Sequence, residues 1–369
     1  MPRENAIWAT GVMSGTSLDG VDWADILTDG HEIFEFGANG FRPYSNEEQS
    51  ILHSALGSWP NENSNSLGAA MDVVMGSHVE ALEDCTGEVV GFHGQTLNHD
   101  PLSSRTFQLG NGAALARALD RTVVWDFRTA DVTVGGQGAP LAPFYHHALA
   151  RRANITEPVA FLNLGGVGNI TWIENPSLPP EEEGNLIAFD TGPANAPIND
   201  LMLRHYNMAF DMGGEVATSG AASQETIQRF TEMAYFQKVP PKSLDRNEFE
   251  PFLMELQDLE PADAVATATH LCAVSVVKAL SFLPKPPTTI FMCGGGRKNR
   301  SLVGAIIERL MEVTQLLIVP VERLKIDGDM LEAQAFAYLA VRVLNGLPIS
   351  APGTTGVPEP MTGGQISKP

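Results

Sequence analysis

The chain has 369 residues, in which 44 Asp and Glu face 23 Lys and Arg, for a formal net charge of −21. This length predicts two domains or one large one, since domains commonly hold about 100–200 residues. An apolar fraction of 43% with 18% charged residues excludes a disordered chain. The acidic balance argues against nucleic acid as a partner, because neutralising phosphate needs clustered Lys and Arg.

The three cysteines, Cys85, Cys272 and Cys293, are far apart and have no His partner at ligand spacing. We therefore expect neither a disulfide framework nor a metal site of the zinc type, and the usage fits a reducing compartment. The first residues lack the apolar core of a signal peptide, and no run approaches 18 uninterrupted apolar residues. These features predict a cytoplasmic protein that does not bind a membrane.

The first part of the chain alternates short apolar runs with helical periodicity. Two β-runs joined by a Gly, Ser and Thr turn open it as a hairpin, and a third run extends the hairpin into a meander. We predict strands over residues 7–12, 21–27, 31–41, 89–92, 106–109 and 122–125, and helices over residues 45–56, 66–83 and 111–119.

Residues 126–140, DFRTADVTVGGQGAP, differ in kind from what precedes them, because they are rich in Gly and polar groups. Long ordered loops in a compact chain are usually functional. The segment is also the best place for a domain crossing, and a helix is expected after it over 141–152. We therefore expect domains at 1–130 and 131–349, with the tail 350–369 packing back on the first.

After residue 158 the opening pattern begins again, with a strand, a glycine turn, a strand and, after an acidic Pro-rich excursion, another strand. We interpret this as a structural echo between two domains. Strands alternating with helices indicate an α/β class with mixed sheets. The predicted strands cover 159–164, 169–173, 186–189, 288–292 and 316–319, and the predicted helices cover 194–206, 223–235, 261–282, 299–311 and 329–344.

Three glycine turns follow apolar strands, at 11–20, 165–168 and 294–296. Glycine lets the backbone approach phosphate closely and aim several N–H groups at its oxygens. None of the turns is a Walker A loop, since Gly15-Thr16-Ser17 lacks the Lys, and none has the spacing GxGxxG. One such turn is more often a structural connection, but three favour a nucleotide held between two domains.

Carboxylates stand at three informative places. Asp190 ends the run 186–189, where α/β proteins place their sites, although, taken alone, an Asx turn or a cap for the helix at Ala194 is the better explanation. Asp19 and Asp22 flank the first turn, where they either cap it or reach a hydrated Mg²⁺. Glu332 begins an apolar helix face and is either a residue that favours the helix dipole or one that faces a site.

The remaining polar candidates are weaker. The histidines at 93, 99, 146 and 147 lack metalloprotease spacing, and no serine lies in a G-x-S-x-G elbow. Arg128 and Asp131 lie in the long central loop, where Arg is suited to bidentate recognition of a carboxylate or phosphate. A salt bridge between these two residues is an equally good explanation.

With these motifs in view, the chain closely resembles the anhydro-N-acetylmuramic acid kinases, members of the superfamily of acetate and sugar kinases, heat-shock chaperones and actin. The matching runs span nearly the whole chain in the family's order, whereas 175–185 and 236–259 carry none. They are GVMSGTSLDGVD (11–22), FHGQT (92–96), QLGNGAALA (108–116), VWDFRTADVTVGGQGAPLAP (124–143), FLNLGGVGNIT (161–171), FDTGPAN (189–195), CGGGRKN (293–299), EAQAFAYLA (332–340) and GTTG (353–356).

The resemblance implies a two-domain actin-like, or ribonuclease H-like, α/β fold with mixed central sheets and a nucleotide cleft between the domains. It implies an ATP-dependent kinase that converts 1,6-anhydro-N-acetylmuramic acid and water to N-acetylmuramic acid 6-phosphate and ADP, with Mg²⁺ bridging the phosphates. It further implies a bacterial homodimer that recycles cell-wall sugars.

The resemblance also implies roles for individual residues. Asp190 is expected to be the base that activates water, and Glu332 to orient the water or the sugar. The nucleotide is expected to be held by Gly11, Val12, Met13, Ser14, Gly15, Thr16, Ser17, Leu18, Gly165, Gly166, Gly168, Gly294, Gly295 and Gly296. The sugar is expected to contact Asp19, His93, Gln95, Arg128, Asp131 and Asn195.

Two alternatives remain open. A related kinase for another anhydrosugar such as levoglucosan would not need Arg128, because that sugar lacks the lactyl and acetamido groups. A non-catalytic ATP-binding scaffold on the same fold would turn over ATP without added sugar, and fold alone does not exclude it.

Overall fold

The computed structural model describes residues 5–15, 17–60, 64–242, 244 and 249–369. The chain divides into two compact units. Unit 1 comprises Met1–Ile155, Pro176–Glu183 and Met330–Pro369, and unit 2 comprises Thr156–Asn175 and Gly184–Asp329.

The elements are numbered along the chain. The strands are β1 (Ile7–Ser14), β2 (Gly20–Thr28), β3 (Ile33–Pro43), β4 (Val89–Asp100), β5 (Arg105–Leu109), β6 (Thr122–Trp125), β7 (Val159–Leu164), β8 (Val167–Ile173), β9 (Leu186–Pro193), β10 (Thr289–Cys293), β11 (Leu317–Pro320) and β12 (Gln365–Ser367). The helices are α1 (Asn46–Ala55), α2 (Ser64–Ala81), α3 (Gly112–Leu119), α4 (Thr129–Thr133), α5 (Pro143–Arg152), α6 (Asn195–Tyr206), α7 (Glu215–Ser219), α8 (Gln224–Thr231), α9 (Glu250–Glu255), α10 (Pro261–Leu280), α11 (Arg300–Val313) and α12 (Leu331–Leu344).

The two units contain sheets with the same strand order. In unit 1, β1, β2 and β3 form an antiparallel meander, and β4 and then β6 continue the sheet parallel to β1. In unit 2, β7, β8 and β9 form the meander, and β10 and then β11 continue parallel to β7. This repeated order is that of an actin-like domain, so the expected two-domain α/β fold with mixed sheets is confirmed.

Helix α12 lies directly on the sheet of unit 1, and two glycines make this approach possible. Gly11 of β1 and Gly91 of β4 are partners in the parallel register. A Cβ at Gly11 would overlap the carbonyl oxygen of Ala333, and a Cβ at Gly91 would overlap that of Phe336. Any larger residue in this row would therefore push the helix away from the sheet.

The core of unit 2 is built around α10, whose residues are mostly buried against β9, α6, α7, α8 and α11. Within the described residues, α10 is the one helix long and apolar enough to cross a bilayer, and 72% of its apolar window is buried in the protein. Such burial is what a core helix shows, since an all-round apolar helix must be covered by neighbours.

The unit boundaries differ from the division expected at residues 130 and 349. Helix α5 packs on β3 and α12, and α12 packs on β1, β2 and β4, so both belong with the first sheet. The excursion Pro176–Glu183 also belongs to unit 1, where Glu181 accepts from Arg342 Nη2 at 3.2 Å. In the tail, β12 pairs antiparallel with β6.

Three predicted elements are corrected by the structure. The loop 126–140 contains the short helix α4, and the helix expected over 223–235 ends at Thr231. Strand β4 continues to Asp100, well beyond residue 92, because its polar second half pairs with β5. Local composition does not show this extension, since its stability comes from the partner strand.

Candidate functional site

The first glycine turn joins β1 to β2 and is closed by a hydrogen bond from the Leu18 N–H to the Gly15 oxygen at 3.2 Å. Ser17 and Asp19 are exposed, and the Ser17 hydroxyl donates to the Asp19 carboxylate at 2.7 Å. Met13 and Gly15 are partly accessible, whereas Leu18 is buried. Thr16 lies outside the described residues.

The expected nucleotide contact at Gly11 and Val12 stays a prediction, and the structure gives both residues a packing role. Both residues lie inside β1, where Val12 is fully buried and Gly11 is covered by α12. Neither reaches the turn. Their Gly and Val identities are explained by packing, which leaves the turn after Val12 as the accessible part of the motif.

Gln95 braces this turn from beneath. Its side chain is fully buried, its Oε1 accepts from the Ser14 hydroxyl at 2.5 Å, and its Nε2 donates to the Gly15 oxygen at 3.3 Å. Ser14 is 1% exposed and also bonds the Tyr44 hydroxyl at 2.8 Å. Gln95 therefore holds the turn in place, and Ser14 is bonded within the protein; their expected contacts with sugar and nucleotide stay predictions.

Arg128 and His93 form a buried pair beside α12. Arg128 donates from Nε to His93 Nε2 at 3.0 Å and from Nη1 to the Gly138 oxygen at 2.7 Å. His93 Nδ1 lies 2.8 Å from the Gly94 oxygen. His93 therefore accepts at Nε2 and donates at Nδ1, which requires a neutral ring. Burial, with the Arg128 charge, lowers the pKa of His93 well below its ordinary value.

Asp131 organises the long loop from within. It is 2% exposed, its Oδ1 accepts from the Gly138 N–H at 2.6 Å, and its Oδ2 accepts from the Thr355 hydroxyl at 2.7 Å. Both oxygens thus have protein partners, and the expected contact of Asp131 with sugar stays a prediction. Arg128 and Asp131, both described, form no ion pair with each other, so the alternative of a loop salt bridge is also wrong.

Glu332 lies in the first turn of α12 with its side chain exposed to solvent. Its carboxylate accepts no hydrogen bond from the described residues. Desolvation by the surrounding protein raises the pKa of Glu332, the Arg128 charge opposes this, and the Asp19 charge adds to it. Burial lowers the pKa of Arg128 to about 10, against the charges of Glu332 and Asp131. Asp19, Arg128 and Glu332 therefore share one electrostatic neighbourhood in unit 1.

The second glycine turn joins β7 to β8 in unit 2. The Gly166 oxygen accepts from the N–H groups of Ala194 and Ala196 at 3.0 and 3.2 Å, and the Gly165 oxygen accepts from that of Asn195 at 2.8 Å. The N–H groups of Gly165 and Gly166 make no backbone hydrogen bond to the described residues. The turn thus uses its acceptors to hold α6 and leaves two donors free.

Gly168 is not part of the turn whose N–H groups, those of Gly165 and Gly166, make no backbone hydrogen bond to the described residues. It is buried in β8 opposite Gly192, and a Cβ there would lie 2.5 Å from the Thr191 hydroxyl. The structure therefore gives Gly168 a packing role, and its expected contact with nucleotide stays a prediction.

The third glycine turn follows β10 and touches the second. Gly294 has φ +74°, Gly295 faces open space, and Gly296 is buried against Leu164 and Asn195. Asn195 donates from Nδ2 to the Leu164 oxygen at 2.9 Å. Asn195, expected to bind sugar, thus lies between the two glycine turns and fixes their separation.

Arg297 was not among the expected residues. Its side chain is 5% exposed, pairs with Glu322 at 2.6 Å and Asp329 at 3.0 Å, and donates to the Gly294 oxygen at 3.0 Å. It therefore anchors the third turn. The only sequence signal was its position directly after the glycines.

Asp190 lies in β9, partly accessible to solvent. Its Oδ2 accepts from the Leu244 N–H at 2.8 Å, and its Oδ1 has no partner among the described residues. Burial raises the pKa of Asp190 to about 6, although the Leu244 N–H acts to lower it. Helix α6 is preceded by Ala194 and has no side-chain cap, so the reading of Asp190 as a helix cap is wrong. The arrangement thus presents a carboxylate of raised basicity, one oxygen of which has no partner in the part of the chain that the structure describes.

Comparisons with known proteins agree over nearly the whole chain. Residues 8–369 match the family model described as anhydro-N-acetylmuramic acid kinase. A protein of that name from Cereibacter sphaeroides is 52% identical, with 100% of this chain and 98% of the relative covered. One from Ruegeria sp. is 49% identical, with 100% and 96% covered.

Solved structures of lower similarity also align. An activator of 2-hydroxyisocaproyl-CoA dehydratase from Clostridium difficile has a TM-score of 0.43 at 13% identity, with 91% of this chain and 94% of that chain covered. A ROK family glucokinase from Streptomyces griseus has a TM-score of 0.41 at 10% identity, with 90% and 99% covered.

Proposed function

The chain belongs to the anhydro-N-acetylmuramic acid kinase family, and we propose that Asp190 is the general base of this kinase. The enzyme uses ATP and water to convert 1,6-anhydro-N-acetylmuramic acid to N-acetylmuramic acid 6-phosphate and ADP. The observation that carries the proposal is that Oδ1 of Asp190 has no hydrogen-bond partner among the described residues, on a carboxyl whose pKa burial raises to about 6.

Asp190 takes a proton from water as the water oxygen forms a bond to the anomeric carbon. The bond from that carbon to O6 breaks, O6 bonds to the γ-phosphorus of ATP, and ADP leaves. A carboxyl with a pKa of about 6 suits this task, since it is ionised at pH 7 yet more basic than an ordinary Asp. Water attacks opposite the departing oxygen, as in inverting glycosidases, with phosphoryl transfer in place of leaving-group protonation.

Arg128 is proposed to bind the lactyl carboxylate of the sugar. Its Nη2 has no partner among the described residues, while His93 and the Gly138 oxygen fix the rest of the guanidinium. Arg presents paired donors that match a carboxylate. The use of a desolvated, oriented Arg favours an anionic sugar over levoglucosan, which has no carboxylate.

Glu332 is proposed to accept hydrogen bonds from sugar hydroxyls or from the attacking water. Its exposed carboxylate accepts no hydrogen bond from the described residues, and its raised pKa is consistent with a group held ready for a polar ligand. Asp19, on the first turn, lies in the same neighbourhood and is proposed to contact the sugar or the metal.

In unit 1, the phosphates of ATP are proposed to bind at Gly15 and Ser17 of the first turn. Considered by itself, the glycine turn of unit 2 also offers phosphate donors, because the N–H groups of Gly165 and Gly166 make no backbone hydrogen bond to the described residues. Backbone donors of this kind bind phosphate without a basic surface, which agrees with the net charge of −21. Gly295, which faces open space in the third turn, is proposed to lie near the adenosine.

Mg²⁺ is proposed as the metal of the ATP complex. Within the described residues, no three His, Cys, Asp or Glu side chains converge as a protein metal centre. This fits an ion that keeps several waters and binds phosphate oxygens plus one or two carboxylates, of which Asp19 would supply one. When bound, Mg²⁺ offsets the charge of the transferred phosphoryl group.

We also propose that the protein is a cytoplasmic homodimer. Its three cysteines are free and buried, which fits a reducing compartment, and the family resemblance supports a dimer. Sedimentation equilibrium should give twice the chain mass of 39.6 kDa. A monomer mass at all concentrations would reject the dimer.

The proposed reaction is tested by coupled ADP release with ATP and Mg²⁺, with and without 1,6-anhydro-N-acetylmuramic acid, and with levoglucosan as a second substrate. ADP release is expected only with the first sugar, whose product should be heavier by one water and one phosphoryl group. ADP release without sugar would favour the scaffold, and turnover of levoglucosan alone would change the substrate.

A further inference from the structure

A short segment of unit 2 that includes Tyr235, Lys242 and Leu244 makes hydrogen bonds to three atoms of Asp190 in β9. The Asp190 N–H donates to the Lys242 oxygen at 3.1 Å, and the Tyr235 hydroxyl donates to the Asp190 oxygen at 2.6 Å. The Leu244 N–H donates to Asp190 Oδ2 at 2.8 Å. Both backbone groups and one carboxylate oxygen of Asp190 therefore depend on where this segment lies.

Lys242 fixes the segment to the core of unit 2. The residue is 8% exposed, and its Nζ lies 4.2 Å from the centre of the Phe282 ring, 4.6 Å from that of Tyr235 and 5.7 Å from that of Phe189. Nζ also donates to the Tyr235 oxygen at 3.3 Å. An ammonium held among three aromatic faces is stabilised by their quadrupoles and loses freedom to move.

We propose that Lys242 is a positioning residue, which holds the Leu244 N–H against Oδ2 of Asp190 and so leaves Oδ1 aimed at the water. This inference rests on the proposed role of Asp190. Lys242 lies two residues after Pro240 and two residues before Leu244. The Lys242 oxygen and the Leu244 N–H both bond Asp190, so the anchored side chain of Lys242 sets both hydrogen bonds.

The influences on the pKa of Asp190 are consistent with Lys242 acting through the position of the Leu244 N–H. Among the described residues, burial and the Leu244 N–H are the influences on the pKa of Asp190, one raising it and the other lowering it. The titratable residues of α10, which packs against β9, are not among these influences; they are Asp263, His270, Cys272 and Lys278. Loss of the Leu244 bond should therefore raise the pKa of Asp190 further.

The test is the pH profile of kcat for Lys242→Met. Met fills a similar volume among aromatic rings but lacks the cation and the donor. We expect the acid limb to move upward by about half a unit to one unit from a pKa of about 6, with kcat at pH 6 lower by about twofold to fivefold and KM for ATP unchanged. An acid limb at the wild-type position, or a loss of kcat equal at every pH, would overturn the inference.

Two further variants separate this effect from a general loss of structure. Lys238→Met removes an exposed cation whose Nζ lies 5.7 Å from the Tyr235 ring, and it should leave the profile unchanged. Lys242→Arg keeps the cation and should restore the wild-type limb. If Lys242→Met does not fold, Lys242→Gln replaces it, and the same upward shift of the acid limb is expected. A shifted acid limb in Lys242→Arg would contradict the positioning role of Lys242.

Asp190→Asn, measured in the same series, separates the inferred role of Lys242 from the proposed role of Asp190 as the base. Loss of turnover in Asp190→Asn with an unmoved limb in Lys242→Met would reject only the role of Lys242. Retained turnover in Asp190→Asn would reject the base itself, whatever Lys242 does.

Discussion

Nε of Arg128 donates a hydrogen bond to Nε2 of His93 at 3.0 Å, and the His93 ring in turn packs on Phe336 at 4.6 Å between centroids. Because Phe336 and Glu332 are one turn apart on α12, the helix that carries the acid also supports the ring that orients the guanidinium. From the sequence, His93 and Arg128 are expected to contact the sugar separately. In the structure His93 supports Arg128, whose Nη2 has no partner among the described residues.

Arg128→Gln should weaken binding of the anhydrosugar because it removes the charged partner of the lactyl carboxylate. A hydrogen bond between charged groups contributes about 1.5–3 kcal/mol, so KM for the sugar should rise by about tenfold to a hundredfold, with KM for ATP little changed. Initial-rate kinetics measure both. Arg117→Gln, at an exposed position on α3, is the matched control. An unchanged KM for the sugar would remove Arg128 from substrate recognition.

His93→Phe should give a smaller effect in the same direction. The aromatic ring still packs on Phe336, but the acceptor for Arg128 Nε is lost, so the guanidinium is less well oriented. We expect KM for the sugar to rise by about threefold to tenfold, within the range of one neutral hydrogen bond. Kinetics of the double variant with Arg128→Gln should show that the two effects are not additive. Additive effects would mean that His93 acts independently.

Gly15→Val should weaken ATP binding while leaving the fold intact. A Cβ at Gly15 meets only the Ser17 hydroxyl at 3.4 Å, which is ordinary contact, so the added methyls point into the space proposed for phosphate. Calorimetric titration should show a Kd for ATP at least about tenfold weaker, since close backbone approach is lost. Gly304→Val, at an open and exposed position on α11, is the control. Equal ATP affinity in both variants would reject the turn as the phosphate site.

Gly91→Ala should destabilise unit 1 without touching any ligand. Its Cβ would overlap the Phe336 oxygen, so α12 must shift from the sheet, and overpacking of this kind costs about 1–3 kcal/mol or more. Gly304→Ala adds a methyl in open space within a helix and should stabilise by about 0.5–1 kcal/mol. Thermal denaturation of both variants tests the contrast. A Tm for Gly91→Ala equal to that of wild type would contradict the close approach.

The raised pKa of Asp190 predicts that the base lowers stability at neutral pH. In the folded protein burial raises this pKa from 3.8 to about 6, so the neutral form is favoured by folding. That stability is fully present below pH 3.8 and is lost as the pH rises to about 6. Asp190→Asn should therefore be more stable than wild type at pH 8, by up to about 3 kcal/mol, and equal to it near pH 4. Denaturant unfolding at both pH values measures the difference, and equal stability at pH 8 would contradict the raised pKa.

Much of the fold follows from local patterns in the chain. The strands of both meanders and the three glycine turns appear in the sequence because apolar runs and glycines report local structure directly. The second half of β4 cannot be predicted from local sequence, because its polar residues are held as a strand by pairing with β5. The unit boundaries are equally hidden, since only packing assigns α5 and α12 to the first sheet.

The candidate site also contains some residues that the sequence predicts and others that only the structure brings together. Asp190 and Arg128 follow from position and chemistry, whereas Lys242 and Leu244 lie in a stretch without a motif and reach Asp190 only in three dimensions. Gly11 shows the opposite case, because this glycine lies within a glycine motif and allows the close packing of a helix. A pattern cannot separate these roles, because phosphate and a helix backbone both require the same missing Cβ.

The most direct test of the account is turnover by Asp190→Asn beside Asp200→Asn, which changes an exposed residue of α6. The measurement is sugar-dependent ADP release at saturating ATP, with the Kd for ATP determined for each variant. The account predicts loss of at least about a thousandfold in kcat for Asp190→Asn, with ATP affinity within about threefold of wild type, and normal turnover for Asp200→Asn. Turnover by Asp190→Asn within about tenfold of wild type would contradict the assignment of Asp190 as the base.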